Sequence, residues 1–214
     1  MNDLPYTIYP LFATPFYVSS IELSSEEIFL IKNVEYESRK DYSVDITKSR
    51  QILNHIKFSR LKSNIDLHIK NYVTNVLRIK DNIAFPITSS WGVKCTHGKY
   101  IDRHFHSNSI FSGVLYFVTD KESGHFKVYN NRDSIFTRTI TTNFSEFNYY
   151  NSYTWSFVPQ QGTLYLFPSF IEHEIVKYNS NVERYSIAFN TFMTGSNEYG
   201  NGLSDINLRL ETNN

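Results

Sequence analysis

The 214-residue chain has a single cysteine, Cys95, so no disulfide can form within it. It also has no net charge, because 21 basic residues balance 21 acidic ones. Without a basic surplus it lacks the electrostatic signature of a dedicated nucleic-acid binder. The short basic group Lys57, Arg60 and Lys62 reads as a solvated helix face. No apolar run approaches the ~20 residues that span a bilayer. Met1-Asn2-Asp3 opens the chain without a basic n-region or a long apolar h-region. These absences set the expectation of a cytoplasmic protein of a reducing compartment, with no evident nucleic-acid partner and no membrane. Glycine is scarce, at 8 residues, while Asn, Ile, Lys and Tyr abound. That bias is typical of AT-rich bacterial or viral genomes and carries no mechanism.

What is present is aromatic and apolar. The apolar fraction is 41% and the aromatic fraction 16%, supplied mostly by 16 Tyr and 17 Phe. Such a composition favours a folded, strand-rich chain. A chain of this size buries roughly 70% of its unfolded surface and needs no staple to hold a core. Residues 6–18 read as an extended segment limited by Pro10 and Pro15. A first helix is expected from Leu23 to about Arg39, opened by the capping-box pair Ser24 and Glu27. A second is expected from about Ser59 to Lys80, where Ile65, Ile69, Val73, Val76 and Leu77 recur at helical spacing.

From Pro86 onward the pattern changes to short strands, at about 89–96, 100–106, 111–119, 124–129, 154–158, 163–168, 174–178 and 184–192. Leading helices followed by about eight short strands predict an α+β arrangement that is mainly β: a jelly roll with N-terminal helices packed on one sheet. The expected organisation is one domain over 1–214. Residues 1–85 supply a strand and supporting helices, 86–193 the jelly-roll core and 194–214 a C-terminal tail. The connection at 130–153 is long, polar and aromatic, and connections of this length are usually functional. It is a candidate lid or substrate wall.

The 7 histidines concentrate the chemistry. His104 and His106 stand two apart. On a strand their rings share a face, and Phe105 between them points to the opposite, apolar side. Neutral imidazoles bind a metal at ~2.0–2.1 Å, so two such rings can converge on one ion. A bare H-x-H is more often just two polar residues on a strand face. His173 adds a third imidazole, delivered by the turn after Pro168. Two ligands from one strand and one from a later strand build a facial site with open positions. Eleven residues on, Arg184 and Ser186 share a strand face with Ala188 and Asn190. A guanidinium with a neighbouring hydroxyl makes a carboxylate receptor. The alternative for Arg184 is an exposed edge-strand salt bridge.

At these residues the chain resembles the 2-oxoglutarate/Fe(II) oxygenases common in marine bacteria and their phages. The resemblance starts at Leu11-Phe-Ala-Thr-Pro-Phe-Tyr17 and passes through Ser90-Trp91 and Gly98. It includes His104-Phe-His106-Ser-Asn108 with Gly113-Val-Leu-Tyr116, then the run from Gly162 through Pro168 to His173, and ends in Arg184-Tyr-Ser186-Ile-Ala-Phe-Asn190. The ordered combination is specific; no single block is. The resemblance implies a double-stranded β-helix, one Fe(II), and use of O2 to decarboxylate 2-oxoglutarate to succinate and carbon dioxide while a C–H bond of a second substrate is hydroxylated. It places His104 and His173 as metal ligands and Arg184, with Ser186, at the distal carboxylate of 2-oxoglutarate. Tyr116, Asn108 and Asn190 are further candidate contacts for that co-substrate.

The wider superfamily opens this motif as H-x-D/E, whereas the third position here is His106. Three neutral imidazoles leave the ion at +2, which the 2-oxoglutarate dianion would neutralise, and they also suit zinc. Either His106 is the third ligand, or a carboxylate from Asp102 or Glu172 is, with His106 behind it. Two rival functions remain: a three-His dioxygenase that does not use 2-oxoglutarate, and a non-enzymatic jelly-roll binding module. The primary substrate, a small molecule or a side chain, is not legible, and a homodimer is compatible with the sequence.

Overall fold

In the computed structural model, residues 6–38, 43–122, 124–130, 143–197 and 206–209 are described. The N-terminal segment reaches a strand only at β1 (Tyr17–Ser20). Helix α1 (Ser25–Asn33) follows, with the predicted capping box formed by Ser24 and Glu27. It ends well before Arg39. Val34 turns extended, and the Tyr36 hydroxyl donates to the Ile31 carbonyl at 2.8 Å, serving an acceptor that the helix end leaves open. The chain then forms β2 (Tyr36–Ser38) and β3 (Asp45–Thr47).

Helix α2 (Ser59–Asn71) continues into a π-turn (Tyr72–Val76) closed by Leu77 N–H on the Tyr72 carbonyl. It stops short of Lys80 because Arg78 takes a left-handed conformation, φ 57°. Lys57, Arg60 and Lys62 pair with Glu26, Glu27 and Asp66, as expected of a solvated face. Among the described residues no helix is long and apolar enough to cross a membrane.

The strands that follow are β4 (Ile83–Ala84), β5 (Ile87–Cys95), β6 (Ile101–His104), β7 (Phe111–Val118), β8 (Phe126–Tyr129), β9 (Thr154–Phe157), β10 (Thr163–Pro168), β11 (His173–Ile175), β12 (Arg184–Thr191), β13 (Thr194–Asn197) and β14 (Ile206–Leu208). They form a seven-stranded sheet in the order β1-β10-β7-β12-β5-β3-β2, a four-stranded sheet β6-β11-β8-β9, and a small sheet β14-β13-β4. The pairings within all three are antiparallel. This is the expected jelly roll. Its larger sheet also takes up β2 and β3, which sequence periodicity did not reveal.

Period-2 alternation gives the central strands two buried faces. Leu115 and Phe117 of β7, Leu164 and Leu166 of β10, and Ile187 and Phe189 of β12 pack with Ile31, Leu61, Ile65 and Tyr72 of the helical layer. Each such side chain, fully buried, contributes about 1.5–3 kcal/mol. Val114, Tyr116, Tyr165 and Phe167 point the other way and meet Phe126, Val128 and Ile175 of the smaller sheet. Gly113 lets β12 lie close: a Cβ there would stand 2.3 Å from Cζ of Phe189.

Of the long connection, residues 131–142 lie outside those described. Residues 143–153 hold a local aromatic group, with Phe147 packed on Phe144 and Tyr153. In the tail, 198–205 and 210–214 lie outside the described residues.

Candidate active site

The smaller sheet supplies two of the histidines. His104 ends β6 and His173 opens β11, and the antiparallel register makes them direct Cα partners. Facing residues in such a pair hold their side chains side by side, and the two rings lie 4.3 Å apart by centroid. His106 arrives differently from the expectation. The strand stops at His104, so His106 sits in the loop, and Phe105 is exposed rather than turned into an apolar layer. The loop is nevertheless tied to the segment that precedes His173, because the His106 backbone N–H donates to the Ser169 carbonyl at 3.0 Å. Its ring lies 5.3 Å from His104 and 5.2 Å from His173.

One ligand nitrogen from each of the three histidines lies within 4.8 Å of the others. The opposite nitrogens are all engaged. His104 Nδ1 is 2.7 Å from the Asp102 carbonyl, His173 Nδ1 is 2.9 Å from the Ile171 carbonyl, and His106 Nδ1 is 2.6 Å from Oδ1 of Asn190. Each acceptor is a carbonyl-type oxygen, so each Nδ1 carries the proton and each Nε2 keeps its lone pair. This is the orientation that a metal-binding histidine needs. Burial pushes His106 down to about 4 and His173 down to about 3, which keeps both rings neutral and able to ligate at neutral pH. Trp91 stacks on His106, and Phe126 stacks on His173.

The carboxylates considered from sequence lie elsewhere. Asp102 is exposed and meets His104 through its backbone carbonyl. Glu172 is ion-paired with Arg103. Among the described residues, the group with metal-ligand spacing holds histidines only.

A second polar site lies between the sheets. Arg184 is 1% exposed, and its guanidinium sits 5.8 Å from the ring of Tyr116 and 5.6 Å from that of Tyr178. Ser186, on the same face of β12, is buried and lies opposite Tyr116 in the neighbouring strand. The hydroxyls of Tyr116 and Tyr178 are buried and have no hydrogen-bond partner among the described residues. Burial raises the Tyr116 phenol, against the pull of Arg184, so it stays an O–H donor. Two buried donors without an acceptor are costly, and beside a buried guanidinium they fit an anionic ligand. An exposed edge salt bridge is therefore excluded for Arg184.

Sequence reasoning missed Tyr178. Its only signal was a hydroxyl-bearing aromatic between His173 and Arg184. Asn190 stands at the histidine end of the β12 face, bonded to His106 and to the Ser112 hydroxyl. Asn108 occupies an exposed turn in a left-handed conformation, φ 54°. A cavity of about 320 Å³ opens beside these groups, lined by Trp91, Val93, Ile101, His104, His106 and Asn190 among others.

A family model described as "Putative 2OG-Fe(II) oxygenase" matches residues 89–190, the span that carries all of these groups. A search of curated protein sequences gives no match. Solved structures with the same fold include a prolyl-4-hydroxylase from Pseudomonas putida, with 14% identity over 85% of this chain and 95% of that one, TM-score 0.55. A Trichoplax adhaerens prolyl hydroxylase in complex with a hypoxia-inducible-factor peptide has 16% identity over 86% of both chains, TM-score 0.56. HygX from Streptomyces hygroscopicus, with nickel, 2-oxoglutarate and hygromycin B bound, has 10% identity over 83% of this chain and 82% of that one, TM-score 0.53.

Proposed function

We propose that the chain is a 2OG-Fe(II) oxygenase in which His104, His106 and His173 hold iron(II) while Arg184 and Ser186 hold the distal carboxylate of 2-oxoglutarate. The observation that carries this reading is the convergence of three Nε2 lone pairs, each fixed by an Nδ1 proton donated to a carbonyl oxygen. Iron bound there supplies the oxidising chemistry: 2-oxoglutarate, O2 and a C–H bond give succinate, carbon dioxide and an alcohol.

The chain's own groups do the binding and orienting. Arg184 offers a fork of N–H donors in a buried site, where a charge-assisted hydrogen bond is strong. Tyr116 and Tyr178 give their hydroxyl protons to the same carboxylate, which resolves two otherwise unmet donors. The inward face of β12 runs from Arg184 and Ser186 to Asn190, so one strand serves both ends of the co-substrate site. Three neutral ligands leave the ion a +2 charge that the 2-oxoglutarate dianion balances. The reaction we assign is hydroxylation of a small molecule or a side chain, admitted through the cavity beside Trp91 and His106.

The test is anaerobic loading with iron(II) and 2-oxoglutarate, then exposure to O2 with assay of succinate, alone and with metabolite extracts. Succinate release that needs iron(II) and disappears in His173→Ala supports the assignment. Metal-dependent oxidation with no succinate would replace it with a three-histidine dioxygenase that does not use 2-oxoglutarate.

A further inference from the structure

We propose that Asn190 is the positioning residue that sets the tautomer of His106, with its amide oxygen held by the buried Ser112 hydroxyl. The proposal rests on the iron reading of the three histidines. His106 lies beyond the last residue of β6, so no strand ladder orients its ring. Trp91 stacks on one side, and that contact limits tilt but cannot choose which ring nitrogen carries the proton. Asn190 can, because its Oδ1 lies 2.6 Å from His106 Nδ1.

The same Oδ1 lies 2.9 Å from the Ser112 hydroxyl. Ser112 Oγ is 2.7 Å from Ser169 Oγ, which is 2.7 Å from Ser109 Oγ. Ser112 and Ser169 are buried. The links join β7, the loop before His173 and the loop after His106. Ser169 also accepts the His106 backbone N–H through its carbonyl. The segments that carry two of the three histidines are thus tied to the end of β12.

A side-chain amide can present either end. If its nitrogen faced His106, Nδ1 would accept, Nε2 would carry the proton, and the ring could not bind a metal. The Ser112 hydroxyl favours the first arrangement, because it donates to Asn190 Oδ1. Beyond Ser112 the hydroxyls are anchored in the other direction: Ser169 donates to Ser109, and Ser109 donates to the carbonyls of Phe111 and Thr191. Asn190 Oδ1 thus accepts twice, from Ser112 and from His106, and Nε2 faces the metal. An oxygen acceptor on that nitrogen matters most at His106, because the other two histidines use backbone carbonyls that no side-chain change can remove.

The test reads the ring itself in the metal-free protein, by long-range nitrogen NMR of His106, and then cobalt(II) affinity by titration. The parent is expected to show the Nδ1–H form. Asn190→Ala should shift His106 toward Nε2–H and weaken cobalt(II) binding about 10–100-fold, the usual effect of losing a ligand's outer hydrogen-bond partner. Asn190→Asp, which keeps the acceptor, should restore both. Ser112→Ala should move both in the same direction by less, and it stands in if Asn190→Ala does not fold. An unchanged tautomer and parental cobalt affinity in Asn190→Ala, or in Ser112→Ala as its substitute, would overturn the proposal while leaving the iron site intact. A parent that takes up no cobalt, with a tautomer that still responds to Asn190, would overturn the iron reading instead.

Discussion

Along β12, Tyr185, Ile187 and Phe189 face the helical layer, while Arg184, Ser186 and Asn190 face the second sheet. Both rows are largely buried, yet they do different things. The first row is held by apolar packing that any well-fitted hydrophobic set could supply. The second keeps a guanidinium, a hydroxyl and an amide out of water, which costs stability unless a ligand or partner meets them. The contrast teaches that burial alone does not separate core from site. What marks the site is a buried guanidinium with two tyrosine hydroxyls beside it, those of Tyr116 and Tyr178, that have no hydrogen-bond partner among the described residues.

The comparison can be broken most strongly at the metal. His104→Ala or His173→Ala should abolish stoichiometric divalent-metal binding, a larger effect than the ~10–100-fold loss that follows removal of a ligand's outer partner. The metal-free stability of either variant should stay close to the parent's. Metal analysis and denaturant unfolding check the two halves together. On the other face, Phe189→Ala should cost about 3–5 kcal/mol of stability, measured by urea unfolding, through the cavity it leaves.

Arg184→Ala comes next. Loss of a charged hydrogen bond costs about 1.5–3 kcal/mol, so 2-oxoglutarate affinity should fall by one to two orders of magnitude by calorimetry, with metal affinity unchanged. The finest contrast is Tyr116→Phe or Tyr178→Phe. Each should weaken 2-oxoglutarate binding by about 0.5–1.5 kcal/mol, the worth of one neutral hydrogen bond. Each should leave the ligand-free protein equally stable or more stable, since a buried hydroxyl without an acceptor is removed. A clear loss of ligand-free stability would mean that the hydroxyls serve the fold.

The sequence carried the jelly roll because its central strands are long enough to show alternation, as in β7 and β12. It carried the helices through a capping box and a periodic apolar face. It did not carry β2 and β3, which are three residues each, hold Glu37 and Asp45, and are added in turn, β3 on the edge of β5 and β2 on the edge of β3. At the site, spacing brought out His104, His106, His173 and the Arg184–Ser186 pair, since motif residues announce themselves by position. The strand expected to carry both His104 and His106 ends between them, because the loop is held by Ser169 rather than by a ladder. Tyr178 stayed hidden because it lies in the connection between β11 and β12, where no strand register announces that its ring meets Arg184; the role of Asn190 stayed hidden because its partner His106 is distant in sequence.

The central claim is that the metal site is made of three histidines. Anaerobic iron(II) binding by the alanine variants of His106, Asp102 and Glu172, titrated side by side with the parent, tests it most directly. The account predicts that His106→Ala loses most iron affinity while Asp102→Ala and Glu172→Ala each keep about one ion at parental affinity. Near-normal iron binding by His106→Ala, with loss in either carboxylate variant, would contradict it.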